Sequence, residues 1–266
     1  MTIVLWQLYF DIAGRFYRPY YENINKSHAV KAAPGNKMDL SNITSDDGQG
    51  EKTSCDRCAG CCTGGGPILR RADAHLIRSG KIPSTHLYTI RKGELLFNRD
   101  EMKMIPVITD MIKIKIDKET YACHFLEENS HCSIYVTRPA ECRAFKCWDT
   151  KEIKNKYDED PLERAEILAD VEGLWELIAD HQDRCAYDKM GELTDKLTGD
   201  EKDAAMNEIN EMINYDNALR TTLVEKANID PEMLHFLIGR PFTETMVMFN
   251  LKLENKDGSY ILIPTS

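Results

Sequence analysis

Two observations predict an α+β fold. The first half of the chain places short alternating apolar runs around tightly grouped cysteines, and the second half switches to apolar residues recurring at three and four positions. The expected architecture is a small cysteine-rich core with a β-hairpin, followed by a mostly helical second half. At 266 residues the chain can bury a sizeable core without cross-links.

Taken in order, residues 1–26 read as an aromatic amphipathic arm, with Trp6, Tyr9, Phe10, Phe16, Tyr17, Tyr20 and Tyr21 among Arg15 and Arg18. Residues 27–54 read as a flexible linker, because Ala32-Ala33-Pro34-Gly35-Asn36 and Ser41 to Gly50 offer few apolar anchors. Order restarts near Cys55, and residues 55–190 are expected to form the cysteine-cluster domain. Within it Gly64-Gly65-Gly66-Pro67 is a turn, and Arg70 to Ser79 is a short helix stopped by Gly80. Ile112, Ile114 and Ile116 alternate with Lys113 and Lys115 as in a half-buried strand. Tyr121 to Leu126 and Cys132 to Val136 suggest a hairpin around Glu127 to Ser130, and Thr137-Arg138-Pro139 suggests a helix entry.

Further on, Leu168, Val171, Leu174, Trp175 and Ile178, then Ile209, Met212, Ile213, Leu219 and Leu223, keep helical spacing. Pro161 fits a first helical turn, and Pro231 with Met233 to Ile238 suggests another short helix. Residues 191–266 are expected to form a helical extension closed by a terminal hairpin of Met246 to Leu253 and Tyr260 to Ile263.

The cysteines carry the chemistry. Eight of the nine fall in two groups, Cys55-x2-Cys58-x2-Cys61-Cys62 and Cys123-x8-Cys132-x9-Cys142-x4-Cys147. Cysteines three apart in a turn direct both sulfurs to one metal, which makes C-x2-C the usual half-site for zinc and for iron-sulfur clusters. The triple repeat Cys55, Cys58, Cys61 resembles the start of a ferredoxin run, although Cys62 follows Cys61 directly. Neighbouring side chains tend to point apart, so Cys61 and Cys62 are not expected to share one ion. Gly60, Gly64, Gly65 and Gly66 allow positive φ, and Arg57, Arg70 and Arg71 would lower the pKa of nearby thiols. A hairpin would set Cys123 and Cys132 on one face; Cys142 and Cys147 reach one centre only if their helix ends near Lys146. His124 and His131 are read as surface or supporting groups. Cys185 continues a helical stripe and is read as a packed core thiol, and His75, His86, His181 and His235 show no partner spacing.

Forty-four acidic against 34 basic side chains leave a formal charge of -10, so no nucleic-acid partner is expected. No run approaches the ~20 apolar residues of a membrane span, and Ile3 to Phe10 lacks the flanks of a secretory signal, so the expected compartment is the cytoplasm. A reducing compartment favours thiolate metal sites over disulfides. Peripheral membrane contact through the arm and an unknown protein partner both remain open.

The order C-x2-C-x2-C-C, Cys-His-Phe-Leu, Cys-Ser-Ile-Tyr and Arg-Pro-Ala-Glu-Cys-Arg-Ala-Phe-x-Cys, over residues 55–147, resembles the YkgJ-type cysteine-cluster family. That resemblance implies a zinc- or iron-chelating domain whose ligand candidates are Cys55, Cys58, Cys61, Cys62, Cys123, Cys132, Cys142 and Cys147. A related arrangement occurs in the flagellin lysine methylase. The triple cysteine run and its glycine surround favour an iron-sulfur centre of the 4Fe-4S type in a redox, sensing or accessory role. The alternatives are a structural zinc module for protein interaction, and an enzyme resembling that methylase, for which no catalytic residue can be assigned.

Overall fold

The computed structural model describes residues 55, 57–98, 102–127, 130–146, 160–171, 173–256 and 259–263. The arm, the linker and Cys147 lie outside them. In chain order the elements are α1 (Ala74–Arg78), β1 (Leu87–Ile90), β2 (Leu95–Asn98), β3 (Lys103–Pro106), β4 (Met111–Ile114) and α2 (Ala140–Ala144). Then come α3 (Arg164–Leu168), α4 (Leu174–Arg184), α5 (Tyr187–Lys196), α6 (Lys202–Glu225), α7 (Leu234–Ile238), α8 (Phe242–Thr245), β5 (Lys252–Lys256) and β6 (Ser259–Ile263). Short strands thus precede a mostly helical second half, which is an α+β fold.

The chain divides into two compact units. One comprises Met1–Pro67 with Ile116–Tyr157; the other comprises Ile68–Lys115 with Asp158–Ser266.

In the larger unit, β1 pairs antiparallel with β4, Leu87 opposite Ile114 and Thr89 opposite Ile112. Leu87, Ile112 and Ile114 are fully buried, as the isoleucine alternation predicts. The short helix after Arg70 forms, beginning as a 3-10 turn at Arg71–Asp73, and it stops before Gly80, whose φ of 71° no β-branched residue would accept easily. Pro161 does not enter a helix. It pairs in an isolated bridge with Arg70, because the Leu162 amide and carbonyl are drawn into bonds with Leu69 and Ile112, and α3 starts only at Arg164. The stripe from Leu168 to Ile178 is broken as well: Gly173, at φ 76°, caps α4 and leaves Val171 44% exposed.

The principal core joins α5, α6, α8 and β6 through Tyr187, Met190, Leu193, Ala205, Ile209, Met212, Ile213, Phe242, Met246 and Leu262, with Cys185 among them. Buried positions on α6 run Ala205, Ile209, Met212, Ile213, Asp216, Arg220, Leu223. They keep helical spacing, but a charged pair fills two positions of the stripe. The terminal hairpin forms as β5 and β6, with Leu253 opposite Leu262, while Met246–Phe249 is a 3-10 turn rather than strand.

In the smaller unit the expected hairpin is reduced to isolated bridges, Ile116 with Cys123 and Leu126 with Cys132. Cys132 therefore faces Leu126 and not Cys123. The backbone turns away from a ladder because Tyr121 and Ser130 hold φ of 59° and 62°, and the Leu126 amide closes a tight turn onto the Cys123 carbonyl at 2.8 Å.

Candidate metal centre

The first cysteine group sits on a loop that ends in a 3-10 turn at Cys62–Gly64. The carbonyl of Ala59 accepts the amides of Cys62 at 2.8 Å and Thr63 at 3.0 Å, and this winds the loop tightly. Left-handed backbone was expected at the glycines. Of Gly60, Gly64, Gly65 and Gly66 only Gly65 adopts positive φ, and Arg57 and Ala59 take it instead, at 56° and 60°. Non-glycine residues in that region cost roughly 1 to 2 kcal/mol each, so the loop conformation is held by its surroundings.

The amide of Cys123 donates to the carbonyl of Cys62 at 2.7 Å and so joins the two cysteine groups directly. The second group then continues through a 3-10 turn, Tyr135–Thr137, into α2, which carries Cys142 and ends at Ala144, before Lys146. Phe145 is already extended, with ψ of 114°.

The result is a convergence of thiols from segments far apart in sequence. Cys62 feels the charges of Cys61, Cys123 and Cys142, and Cys142 feels those of Cys123, Cys61 and Cys132. Cys61 and Cys62 do not point apart: their Sγ atoms lie 3.9 Å from one another. In the tight turn successive side chains are splayed by far less than in a strand, which is why the strand-like expectation fails here. Their contact favours one thiolate and one thiol. Cys61 is lowered to about 6, chiefly by the Cys62 hydrogen bond and with help from Arg138, whereas Cys62 is pushed up by the same bond and by burial. Cys142 is also raised, first by burial and then by Cys123 and Glu141.

Cys55 and Cys58 are exposed on the loop that leads into this group, and the Cys55 Sγ accepts the Arg57 amide at 3.3 Å. His124 and His131 are both exposed; His131 Nδ1 contacts the Cys132 carbonyl at 3.2 Å, and His124 lies edge-on to Phe125. Among the described residues no three cysteine thiols lie mutually within 4.8 Å. The array is therefore more open than a tetrahedral zinc site, whose sulfur edges are ~3.8 Å for Zn–S bonds of ~2.3 Å. Arg71 belongs to the larger unit, ion-paired with Asp160 at 3.1 Å and Glu166 at 3.0 Å, and Arg70 belongs to that unit too. Arg57 and Arg138 are the arginines that gather in the smaller unit, both over the Tyr135 ring.

Sequence reasoning missed a second cluster, His181, Cys185 and Asp216, whose ligand-type atoms lie within 4.8 Å of one another in the larger unit. The imidazole Nε2 bonds Asp216 Oδ1 at 2.8 Å, and Arg220 binds both Asp216 oxygens at 2.9 to 3.1 Å. Burial and the nearby Arg91 hold His181 neutral, lowered to about 4. Burial alone would raise Asp216, but the bonds from His181 and Arg220 outweigh it and keep it ionised. With both carboxylate oxygens taken and Arg91 and Arg220 alongside, a metal cation is opposed here. The cluster is a buried ion network, and Cys185 is the core thiol expected of it, raised to about 12 by burial. His181 was expected to have no partner at a telling spacing; it stands four residues before Cys185, and its partner Asp216 comes from another helix.

No helix among the described residues is long and apolar enough to cross a membrane. No curated protein and no solved structure matches the chain. Residues 54–161, which span all eight grouped cysteines, match the CxxCxxCC family model, described as "Putative zinc- or iron-chelating domain", and over that segment the chain is similar to this cysteine-cluster family.

Proposed function

We propose that the chain is a metal-binding cysteine-cluster protein that holds an iron-sulfur centre of the 4Fe-4S type in a redox, sensing or accessory role. The ligands are drawn from Cys55, Cys58, Cys61, Cys62, Cys123, Cys132, Cys142 and Cys147. The donor set fits: it is all sulfur, and thiolates are what iron-sulfur clusters take. The observation that carries the reading is the joining of the two cysteine groups, through the Cys123 amide on the Cys62 carbonyl at 2.7 Å and the charges of Cys61, Cys123 and Cys142 acting on Cys62, with no trio of described thiols inside 4.8 Å. A cubane spreads its thiolates because each binds a different iron, whereas one zinc draws four onto a single point. When bound, the cluster would supply one-electron chemistry; the protein's own groups would hold it and set the surrounding charge.

Zinc is favoured by one specific contact, the 3.9 Å separation of the Cys61 and Cys62 sulfurs, which matches an edge of a zinc tetrahedron. In that reading the chain is a structural module whose folding depends on the metal. The absorption spectrum of anaerobically purified protein separates the two. A brown protein with a broad visible band that bleaches in air supports the cluster; a colourless protein that keeps its fold until chelator is added rejects it.

A further inference from the structure

We propose that Tyr135 is a positioning residue of the cysteine centre, its ring gathering the guanidinium groups of Arg57 and Arg138 beside the thiols so that a bound metal or cluster is charge-compensated. The Cζ atoms of Arg57 and Arg138 lie 4.1 and 4.0 Å from the Tyr135 ring centroid. Each arginine comes from a different cysteine group. Arg57 sits between Cys55 and Cys58, in left-handed backbone, and its amide donates to the Cys55 sulfur. Arg138 immediately precedes Pro139 and α2, the helix of Cys142.

The arrangement is fixed from several sides. Arg138 Nη1 donates to the Tyr135 carbonyl at 2.9 Å, so one residue holds it by both ring and backbone, and Arg143 Nη1 donates to the Arg138 carbonyl at 2.6 Å. A ring face attracts one cation readily. Two cations drawn to one ring repel each other, and the pair is stabilised when negative charge lies alongside. Thiolates ligating a metal would supply that charge. Once a cluster is bound, its reduction adds negative charge, which fixed cations favour. Tyr135 touches no ligand atom in this account; it works through the arginines it holds.

The charge role holds for zinc or iron, and the potential rests on the iron-sulfur reading above. The test compares Tyr135→Phe, Tyr135→Leu, Arg57→Gln and Arg138→Gln in the full chain, purified anaerobically and checked for folding by circular dichroism. Metal retention against a competing chelator and the midpoint potential of the centre are measured for each. Tyr135→Phe keeps the ring and should match the parent in both. Arg138→Gln and Tyr135→Leu should hold metal about tenfold more weakly and shift the midpoint to more negative values, with Arg57→Gln moving the same way. Unchanged retention and midpoint in Arg138→Gln overturn the proposal, whether or not Tyr135→Leu folds. So does a loss in Tyr135→Phe as large as in Tyr135→Leu. A colourless zinc protein sinks the iron-sulfur reading alone; the chelator competition then decides the charge proposal by the same ranking of variants.

Discussion

Replacing Asp216 by Asn tests the buried ion network that organises the larger unit. Asp216 is 2% exposed and accepts from His181 Nε2 at 2.8 Å, from Arg220 Nε and Nη2 at 2.9 to 3.1 Å, and from the Phe242 amide at 3.2 Å. Asparagine keeps the shape but turns one oxygen into a donor, which must then face either the Phe242 amide or Arg220. It also removes the charge that compensates Arg220 and, at longer range, Arg91. Breaking one side of a buried pair costs about 3 to 5 kcal/mol, a large share of the roughly 5 to 15 kcal/mol that holds a domain folded. In urea, with m near 2 kcal/mol/M, the midpoint should fall by about 2 M at unchanged m. A loss below about 1 kcal/mol would show that the network contributes little and refute this reasoning.

Acid should weaken the same unit. His181 is held at about 4 against an ordinary 6.5, so between those values the unfolded chain takes up a proton that the folded chain refuses. Stability is thus full above pH 6.5 and falls as pH drops toward 4, by about 3 kcal/mol from this residue; Asp216, held low, adds loss in the same acid direction. His181→Gln should flatten the urea midpoint between pH 6.5 and 4, and an unchanged slope would contradict the assignment. Gly239→Ala should destabilise by about 3 kcal/mol in a thermal or urea melt, since Gly239 has φ 75° and a Cβ there would lie 2.7 Å from Arg91 Cγ and 2.8 Å from Cδ. Cys142→Ser should lower bound metal per chain while Cys185→Ser leaves it unchanged and lowers only the melting temperature; equal metal loss in both would be inconsistent with a core role for Cys185. Chelation should make residues 55–67 and 116–146 sensitive to protease while segments of the larger unit stay protected, as read by mass spectrometry of the fragments.

The parts of the fold that could be read from the sequence are those in which one local pattern decides the outcome. The alternating Ile112 and Ile114 are buried strand residues, and Ile209, Met212, Ile213 and Leu223 line the core face of α6. Crowding of cysteines likewise pointed to the loop of Cys61 and Cys62, whose carbonyl at Cys62 accepts the Cys123 amide. What stayed hidden depends on distant partners. Asp216 and Arg220 occupy stripe positions because each satisfies the other, with His181 contributed by α4, and apolar periodicity is blind to such pairs. Arg164 is buried for the same reason, bonded to Asp110 at 2.7 Å and to the Leu237 carbonyl at 2.8 Å. The hairpin around Glu127 fails because Cys123 spends its amide on Cys62 instead of a neighbouring strand. Nor does spacing disclose that residues 68–115 fold with residues 158–266.

The central claim, that these sulfurs hold an iron-sulfur centre, is met most directly by counting iron, zinc and acid-labile sulfide per chain in anaerobically purified protein. The account predicts about four irons and about four sulfides per chain. Zinc without sulfide, or a chain that folds and keeps no metal at all, would contradict it.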